Sequence, residues 1–245
     1  MLYEKIKNVA IKLIPRKILI GQEQRLRELF AVLYKGANYQ CPVCEKNLKA
    51  FVRIKAGDKL CPYCGSPARH RRLWTLLHPR LRDGVKVLDF SPPRCFYRKL
   101  KELQDIEYVP TDFAGEFLAS KNLDITLLEL DDNSFDLIIC YHVLEHVDKD
   151  IQAMRELFRV LKPNGACFIQ TPFKTGDIYE NPSITDPKGR LEHFGQEDHV
   201  RTYSIEGISE RLASVGFKAE RLDFSEPENN YYGFDPQETV LVATK

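Results

Sequence analysis

From residue 85 onward, short apolar runs alternate with amphipathic helical patterns, and few folds satisfy this alternation. Val85–Phe90, Ile106–Thr111 and residues 135–140 are predicted to be buried strands, and the last of them is a continuous apolar run. Residues 95–103 and 151–161 carry apolar side chains at helical spacing. Alternation of strands and helices predicts an α/β protein with a doubly wound, mostly parallel sheet.

The rest of this region supplies further elements. Residues 123–130 are predicted to form a short strand followed by a loop, and residues 205–215 a helix. Further strands are predicted near residues 166–171, 217–224 and 238–243. The polar segment 172–203 falls between the fifth strand and the next helix, and an insertion this long is predicted to be a lid over the substrate.

The charge distribution indicates two modules. The chain has 245 residues and a net charge of +1, but residues 1–82 hold 18 Lys and Arg against 5 Asp and Glu. The remaining 163 residues hold 18 basic and 30 acidic side chains, so the two halves carry opposite charge. Hydrophobic residues make up 43% and charged residues 29%, which excludes a disordered or fibrous chain.

Two Cys-x-x-Cys pairs dominate the first half. Cys41 and Cys44 are followed, after sixteen intervening residues, by Cys61 and Cys64. Each turn directs two sulfurs toward one point, and four thiolates complete a tetrahedral Zn²⁺ site. Four protein ligands leave no open position, so this zinc is predicted to be structural. Disulfides and a thioredoxin-like redox motif are the alternatives.

The domain boundaries follow from these patterns: amphipathic helices over 1–38, a zinc ribbon and basic linker helix over 39–82, and the α/β domain over 83–245 with its insertion. The lysines of the first helix form either a solvated face or a contact with an anionic membrane surface.

No apolar run is long enough for a signal peptide or a transmembrane helix, and the scattered thiols favour a cytoplasmic protein. The oligomeric state is left open.

Acidic residues close the first two strands of the α/β domain. Asp89 lies in the first strand, and Asp112 follows the second one, 23 residues later. An acid after the second strand of such a sheet accepts the ribose hydroxyls of a nucleoside, although both acids could instead be strand-end caps. The first loop, residues 91–94, reads Ser-Pro-Pro-Arg and lacks the glycines that cradle a pyrophosphate. The spacing therefore favours an adenosine-type cofactor other than a dinucleotide.

Residues 135–147 (FDLIICYHVLEHV) and 153–165 (AMRELFRVLKPNG) carry a more specific signal. Together with Asp124 and Ile125 they resemble the class I S-adenosylmethionine-dependent methyltransferases. The whole chain, with its cysteine pairs and the basic helix around residues 69–72, resembles a bacterial group of such enzymes with an N-terminal zinc ribbon. The resemblance implies a seven-stranded sheet with S-adenosyl-L-methionine bound across strands one to four.

The resemblance also implies roles for individual residues. Asp89 would lie near the methionine end, Asp112 would bind the ribose, and Asp124 with Ile125 would hold the adenine. The rest of the implied cofactor site consists of Phe90, Ser91, Phe113, Cys140, Tyr141 and His142, the last three beneath the sulfonium.

Several of these residues have plainer alternatives. Asp124 could form a turn, and Cys140 could be a small buried residue. Glu145 and His146 could cap and staple the following helix instead of contacting the cofactor.

A general base assists methyl transfer to a hydroxyl, and histidine suits neutral pH. His199, oriented by its neighbour Asp198, is the first candidate, followed by His193 and His142. The alternative is that Asp198 pairs with Arg201 and holds the segment closed.

Three functions remain open at this stage. The enclosed, aromatic lid favours a small-molecule acceptor or a glycan or lipid precursor. The lysines and arginines of the zinc ribbon could neutralise phosphates of an RNA acceptor, and the alternative is a stabilising or docking module whose basic face is solvated. A methyltransferase-like binding protein without catalysis is the third reading.

Overall fold

The computed structural model describes residues 15–54 and 57–245. The amphipathic pattern predicted within residues 1–14 lies outside the described residues, as does Lys55, one of the basic residues of the zinc ribbon. The chain forms two compact units. The first comprises the described residues up to Leu81 together with Pro93–Glu102 and Phe224–Glu238. The second comprises Arg82–Pro92, Leu103–Asp223 and Thr239–Lys245.

The described residues of the first unit form three α-helices and two small hairpins. Its elements are α1 (Arg16–Ala31), β1 (Lys35–Gln40), β2 (Asn47–Leu48), β3 (Val52–Arg53), β4 (Lys59–Leu60), α2 (Ala68–Leu77) and α3 (Arg94–Lys101). The strands pair antiparallel, β1 with β2 and β3 with β4. The short hairpins leave little regular structure to hold the module together, so its stability depends on side-chain contacts and on the cysteines.

Helix α3 belongs to the first unit although the flanking chain belongs to the second. Its Phe96 is fully buried, with its ring 5.9 Å from that of Trp74 and 5.4 Å from that of His70. Both partners lie on α2, so apolar packing draws α3 into this unit. The first unit therefore extends past the domain boundary predicted between residues 82 and 83. Contacts define a compact unit, and they need not follow chain order.

The remaining elements follow in chain order: β5 (Val85–Phe90), β6 (Ile106–Thr111), β7 (Phe135–Tyr141), α4 (Asp150–Val160), β8 (Leu161–Gln170), β9 (Tyr179–Glu180), α5 (Pro187–Phe194), β10 (Arg201–Thr202), α6 (Ile205–Ser214), β11 (Lys218–Ser225) and β12 (Gln237–Thr244). The main sheet has the order β11-β12-β8-β7-β5-β6. Strands β6, β5, β7 and β8 are parallel, and β12 is antiparallel to β8. The predicted mostly parallel α/β sheet is confirmed, with six strands among the described residues rather than seven.

The missing strand is the one predicted at 123–130. Asp124 accepts hydrogen bonds from the amide and the hydroxyl of Thr126, at 2.8 and 2.7 Å, and so forms a turn. The amide of Leu128 donates to Glu156 at 2.7 Å, and its carbonyl accepts from Arg159 at 2.7 Å. Side chains of α4 thus satisfy backbone groups that a strand would use, and β6 remains the edge of the sheet.

The centre of the sheet is buried, and this core holds in place the loops at the carboxyl ends of the strands. Strand β7 is almost wholly buried, as its continuous apolar run predicts. Met154 and Leu157 of α4 and Ile208 and Leu212 of α6 are fully buried in the same core cluster. None of the helices in the part of the chain that the structure describes is long and apolar enough to cross a membrane.

The segment 172–203 is ordered and carries β9, α5 and β10. Arg201, in β10, is buried and donates hydrogen bonds to the backbone carbonyls of Leu144, Val147 and Asp148. It also pairs with Glu180 of β9 at 2.8 Å. The alternative in which Asp198 pairs with Arg201 is therefore wrong, because the guanidinium contacts β9 and the turn after β7 instead.

Candidate functional site

The four paired cysteines form one cluster in the first unit. The sulfurs of Cys41 and Cys64 are 3.7 Å apart, as are those of Cys44 and Cys61. Four thiolates around a zinc ion at about 2.3 Å lie about 3.8 Å apart, whereas a disulfide needs about 2.05 Å. The cysteines are unbridged, and their spacing fits zinc and excludes the disulfide alternative in this structure.

The two Cys-x-x-Cys turns have the same backbone geometry. Glu45 and Gly65 follow the second cysteine of each pair, and both are left-handed, with φ of 60° and 81°. Their amides donate to the carbonyls of Cys41 and Cys61 at 2.7 and 2.9 Å. The repeated turn explains why each pair aims its two sulfurs at a common point.

The basic helix α2 turns most of its charge inward. Arg71 is fully buried and Arg72 nearly so, and Arg72 pairs with Glu226 at 2.7 Å. Arg69 pairs with Asp58 at 3.2 Å. The arginines that could neutralise phosphates are therefore largely engaged in contacts within the first unit.

At the carboxyl edge of the sheet, the ends of four parallel strands are in register. Phe90 pairs with Thr111 and Tyr141 pairs with Gln170, so the residues that follow them share one edge. The predicted cofactor residues that the fold brings to this edge are Phe90, Ser91, Asp112, Phe113, Cys140, Tyr141 and His142. Ligands of open α/β sheets bind at such an edge.

Asp124 and Ile125 lie in the turn that replaces the predicted strand. Asp124 is exposed and Ile125 is buried in the core. The turn-forming alternative for Asp124 is thus observed, and the implied contact of both residues with adenine stays a prediction.

Ser91 replaces the glycine-rich first loop. Its φ is 51°, a left-handed conformation that favours glycine, and its hydroxyl donates to Asp112 Oδ1 at 3.0 Å. The other oxygen of Asp112 accepts from the amides of Glu116 and Phe117 at 2.6 and 3.2 Å. The buried Asp112 carboxylate therefore holds the loop after β5 and the loop after β6 in place. The next residue, Phe113, is exposed over 72% of its surface.

Asp89 occupies a different environment. Its carboxyl is 1% exposed and accepts a hydrogen bond from the Tyr108 hydroxyl at 2.8 Å. Burial raises the pKa of Asp89 to about 8, despite that hydrogen bond, so the group is protonated at neutral pH. Its predicted role near the methionine end of the cofactor is therefore that of a neutral acid in this structure.

We expect Asp89 to make stability fall with rising pH. An acid whose pKa is raised in the folded state is protonated there and releases its proton on unfolding above its ordinary pKa of 3.8. Between that value and about 8, the unfolding free energy should fall by up to about 1.4 kcal/mol per pH unit. Urea unfolding of the wild type and of Asp89→Asn at several pH values measures the difference. A difference that is independent of pH would contradict the prediction.

The end of β7 holds the next group of predicted residues. Burial raises the pKa of Cys140 well above its ordinary range, so this side chain is a buried thiol and not a nucleophile. Tyr141 is also buried. His142 is left-handed, with φ of 55°, and its Nδ1 lies 3.2 Å from Oε1 of Glu145.

The predicted pairing of Asp198 with His199 is wrong. Asp198 lies 3.2 Å from Nδ1 of His146, and Nδ1 of the buried His199 lies 3.3 Å from the carbonyl of Phe194. The rings of His146 and His199 are in edge contact, with centroids 4.6 Å apart. Burial, aided by the neighbouring His146, lowers the pKa of His199 and favours its neutral form.

His193, the next candidate base, has another environment. It lies on α5, exposed, with Nδ1 2.8 Å from the hydroxyl of Tyr179. Two of the three candidate histidines contact the turn after β7: His142 approaches Glu145, and His199 approaches His146.

Glu145 is absent from the residues predicted to be catalytic, yet its carboxylate is buried beside three histidines. It is 1% exposed, and neither of its carboxylate oxygens has a hydrogen-bond partner among the described residues. Burial favours a higher pKa, but the close contact with the His142 imidazole outweighs it and holds the pKa of Glu145 below its ordinary value. The capping alternative is not observed, since the N-terminus of α4 has no side-chain cap. The His-x-x-Glu-His spacing of residues 142–146 can be seen in the sequence, but the proximity of His199 to Glu145 and His146 is visible only in the structure.

Residues 85–169 match the sequence profile of a family described as "Methyltransferase domain". A curated protein of Mycolicibacterium smegmatis, named "Probable S-adenosylmethionine-dependent methyltransferase", is 32% identical over 93 residues. That alignment covers 38% of this chain and 32% of the relative, so the chain spans about a third of the relative's length.

Solved structures share the fold at low sequence identity. The [4+2]-cyclase SpnF superposes with a TM-score of 0.52 at 19% identity, over 71% of this chain and 80% of that one. A chain in the complex of the Haloferax volcanii Trm112 methyltransferase activator with a methyltransferase has a TM-score of 0.51 at 16% identity, covering 71% and 89%. Haemonchus contortus phosphoethanolamine N-methyltransferase 2 also scores 0.51 at 16% identity, covering 72% and 52%.

A cyclase among these neighbours shows that the fold alone does not determine the reaction. The matched segment, however, contains β5, β6 and β7 with the loops at their carboxyl ends, and all but the last residue of β8. Residues 85–169 are thus similar to a methyltransferase domain, in a chain whose first unit holds a four-cysteine cluster suited to zinc.

Proposed function

We propose that this protein transfers the methyl group of S-adenosyl-L-methionine to an acceptor bound at the carboxyl edge of the sheet. The observation that carries the proposal is the buried carboxylate of Asp112 at the end of β6, within the matched methyltransferase segment. Ser91 and the amides after Asp112 hold that carboxylate in place. A fixed acceptor at this strand end suits the ribose hydroxyls of the cofactor.

The residues present fit such a cofactor. Asp112 would accept from the ribose, and the exposed ring of Phe113 offers an apolar surface for the adenine. The sulfonium of the cofactor supplies an electrophilic methyl group, and the protein has to align it and exclude water. Ser91 and His142, both held in left-handed conformations, would set the paths of the two loops that flank it.

For the acceptor, we propose a small polar molecule, with a glycan or lipid precursor in the same class. Three buried side-chain atoms near the ends of β7 and β8 have no hydrogen-bond partner among the described residues: His142 Nε2, Gln170 Oε1 and Thr171 Oγ1. Unsatisfied polar groups in such a position favour a ligand that hydrogen-bonds to them. The inward-facing arginines of α2 count against RNA.

Isothermal titration of the full chain with S-adenosyl-L-methionine tests the proposal. We expect saturable binding by the wild type and a loss of at least about tenfold in affinity for Asp112→Asn, because the amide replaces a charge-assisted acceptor. Asp105→Asn is the matched control, since Asp105 is exposed before the amino end of the same strand. No binding by the wild type, or equal binding by both variants, would refute the proposed site.

Transfer of a labelled methyl group to fractionated cell extract identifies the acceptor class. We expect label in a low-molecular-mass or lipid fraction. Label in RNA, together with RNA affinity that falls steeply with salt, would support the RNA alternative instead. Cofactor binding without any transfer would support a binding protein.

A further inference from the structure

We propose that Glu145, His146 and His199 form a second metal site, which binds one divalent first-row transition ion. One ligand atom from each residue lies within 4.8 Å of the others, in the second unit and outside the cysteine cluster. Two imidazoles and one carboxylate are a recurrent ligand set for such ions, with coordination positions left open.

The chain brings these residues together through backbone contacts. Glu145 and His146 lie in a single 3-10 turn, Leu144–His146, directly after β7. The amide of Val200 donates to the carbonyl of Glu145 at 2.9 Å, which fixes the segment containing His199 against this turn. The cluster is therefore a product of the fold and not of surface proximity.

The polar atoms of the cluster are buried and unsatisfied. Both oxygens of Glu145 and Nε2 of His199 lack a hydrogen-bond partner among the described residues, while Glu145 is 1% and His199 3% exposed. Burying a carboxylate that accepts no hydrogen bond is costly, and the imidazole of His142, 3.2 Å from Oε1, is in contact with it without forming one. A divalent ion would satisfy these atoms at once.

Both histidines are oriented as metal ligands are. Nδ1 of His199 faces the carbonyl of Phe194, which only accepts, so Nδ1 carries the proton and Nε2 presents a lone pair. Nδ1 of His146 faces the carboxylate of Asp198 at 3.2 Å. Pairing of one ring nitrogen with a carboxylate or a carbonyl is the usual second layer around a metal-binding histidine. This arrangement explains why Asp198 contacts His146 and not His199.

The site requires a small adjustment to bind the ion. Ligand atoms bonded at about 2.1 Å lie about 3.0–3.4 Å apart, so a pair at the 4.8 Å limit of the cluster has to approach by about 1.4–1.8 Å. His146 is half-buried and can rotate to close this gap, with its side chain 31% exposed. The cysteine cluster, in contrast, already has the separation that zinc requires.

The position also suggests a use, and this step rests on the proposed methyl transfer. The cluster follows β7 at the edge where the cofactor residues lie. Open positions on the ion would bind an oxygen of the acceptor, which favours acceptors that carry hydroxyl groups.

Manganese binding tests the site in the full chain with zinc in the cysteine cluster. Thiolates prefer zinc and imidazole or carboxylate ligands accept Mn²⁺, so Mn²⁺ probes the second site selectively. Loss of the free Mn²⁺ signal in electron paramagnetic resonance should show one ion bound per chain. We expect His199→Ala and Glu145→Gln to weaken binding at least about tenfold. His193→Ala is the matched control and should bind like the wild type, because His193 pairs with Tyr179.

Retention of one zinc ion and an unchanged circular dichroism spectrum identify folded variants. If a buried ligand proves essential for folding, His146→Ala decides the question, since its side chain is partly exposed. Absence of Mn²⁺ binding in the wild type, or full binding by a folded ligand variant, would overturn the site. Titration of the same samples with S-adenosyl-L-methionine separates the two proposals, because cofactor binding without Mn²⁺ refutes only the metal site.

Discussion

Cys61→Ala is expected to release the metal and unfold the first unit. Cys61 is fully buried, and its sulfur lies 3.7 Å from that of Cys44, so removing it leaves an incomplete site. Structural zinc contributes on the order of 10 kcal/mol to folding in small domains, and the two-residue strands β2, β3 and β4 offer little to replace it. The loss of unfolding free energy should exceed that of any other single substitution proposed for this protein.

Zinc content by mass spectrometry and amide hydrogen exchange across residues 35–81 measure the effect. Cys167→Ala is the matched control, since Cys167 is equally buried in β8 but lies outside the cluster. The control should retain one equivalent of zinc and slow exchange in the first unit. If Cys61→Ala retained both, the cysteine cluster would not be the structural metal site.

Arg71→Met should cost about 3–5 kcal/mol of unfolding free energy, the second-largest effect. The guanidinium of Arg71 is fully buried and donates to the carbonyls of Lys59, Ser66, Tyr232 and Gly233. It therefore ties the cysteine module to the segment 224–238, both within the first unit. Methionine fills the space but removes a donor from each of the four carbonyls, and of these the Ser66 carbonyl still accepts from the amide of Cys61.

Urea unfolding measures this change, and Arg53→Met provides the comparison. Arg53 is exposed and pairs with Glu228 at 2.9 Å, so its removal should cost less than about 1 kcal/mol. Equal costs for the two substitutions would mean that Arg71 does not hold these backbone segments together.

The sequence predicted elements well where local burial decides the structure. Val85–Phe90 and Ile106–Thr111 are strands at their predicted bounds, because apolar runs of this length are buried in any compact α/β sheet. The prediction failed at residues 123–130, where Glu156 and Arg159 take the backbone hydrogen bonds. Nothing in the local pattern indicates that competition, since both side chains come from a helix about thirty residues later.

The sequence by itself determined the cysteine cluster, the α/β architecture and the acids near the strand ends, because each depends on local spacing or on the apolar pattern. Only the tertiary structure decided which charged groups meet. It directed Arg71 inward, engaged Arg201 with Glu180, and placed His199 beside Glu145 and His146. Such contacts join residues 21 positions apart in one case and 161 in another, and distance along the chain does not constrain which side chains the packed fold brings together.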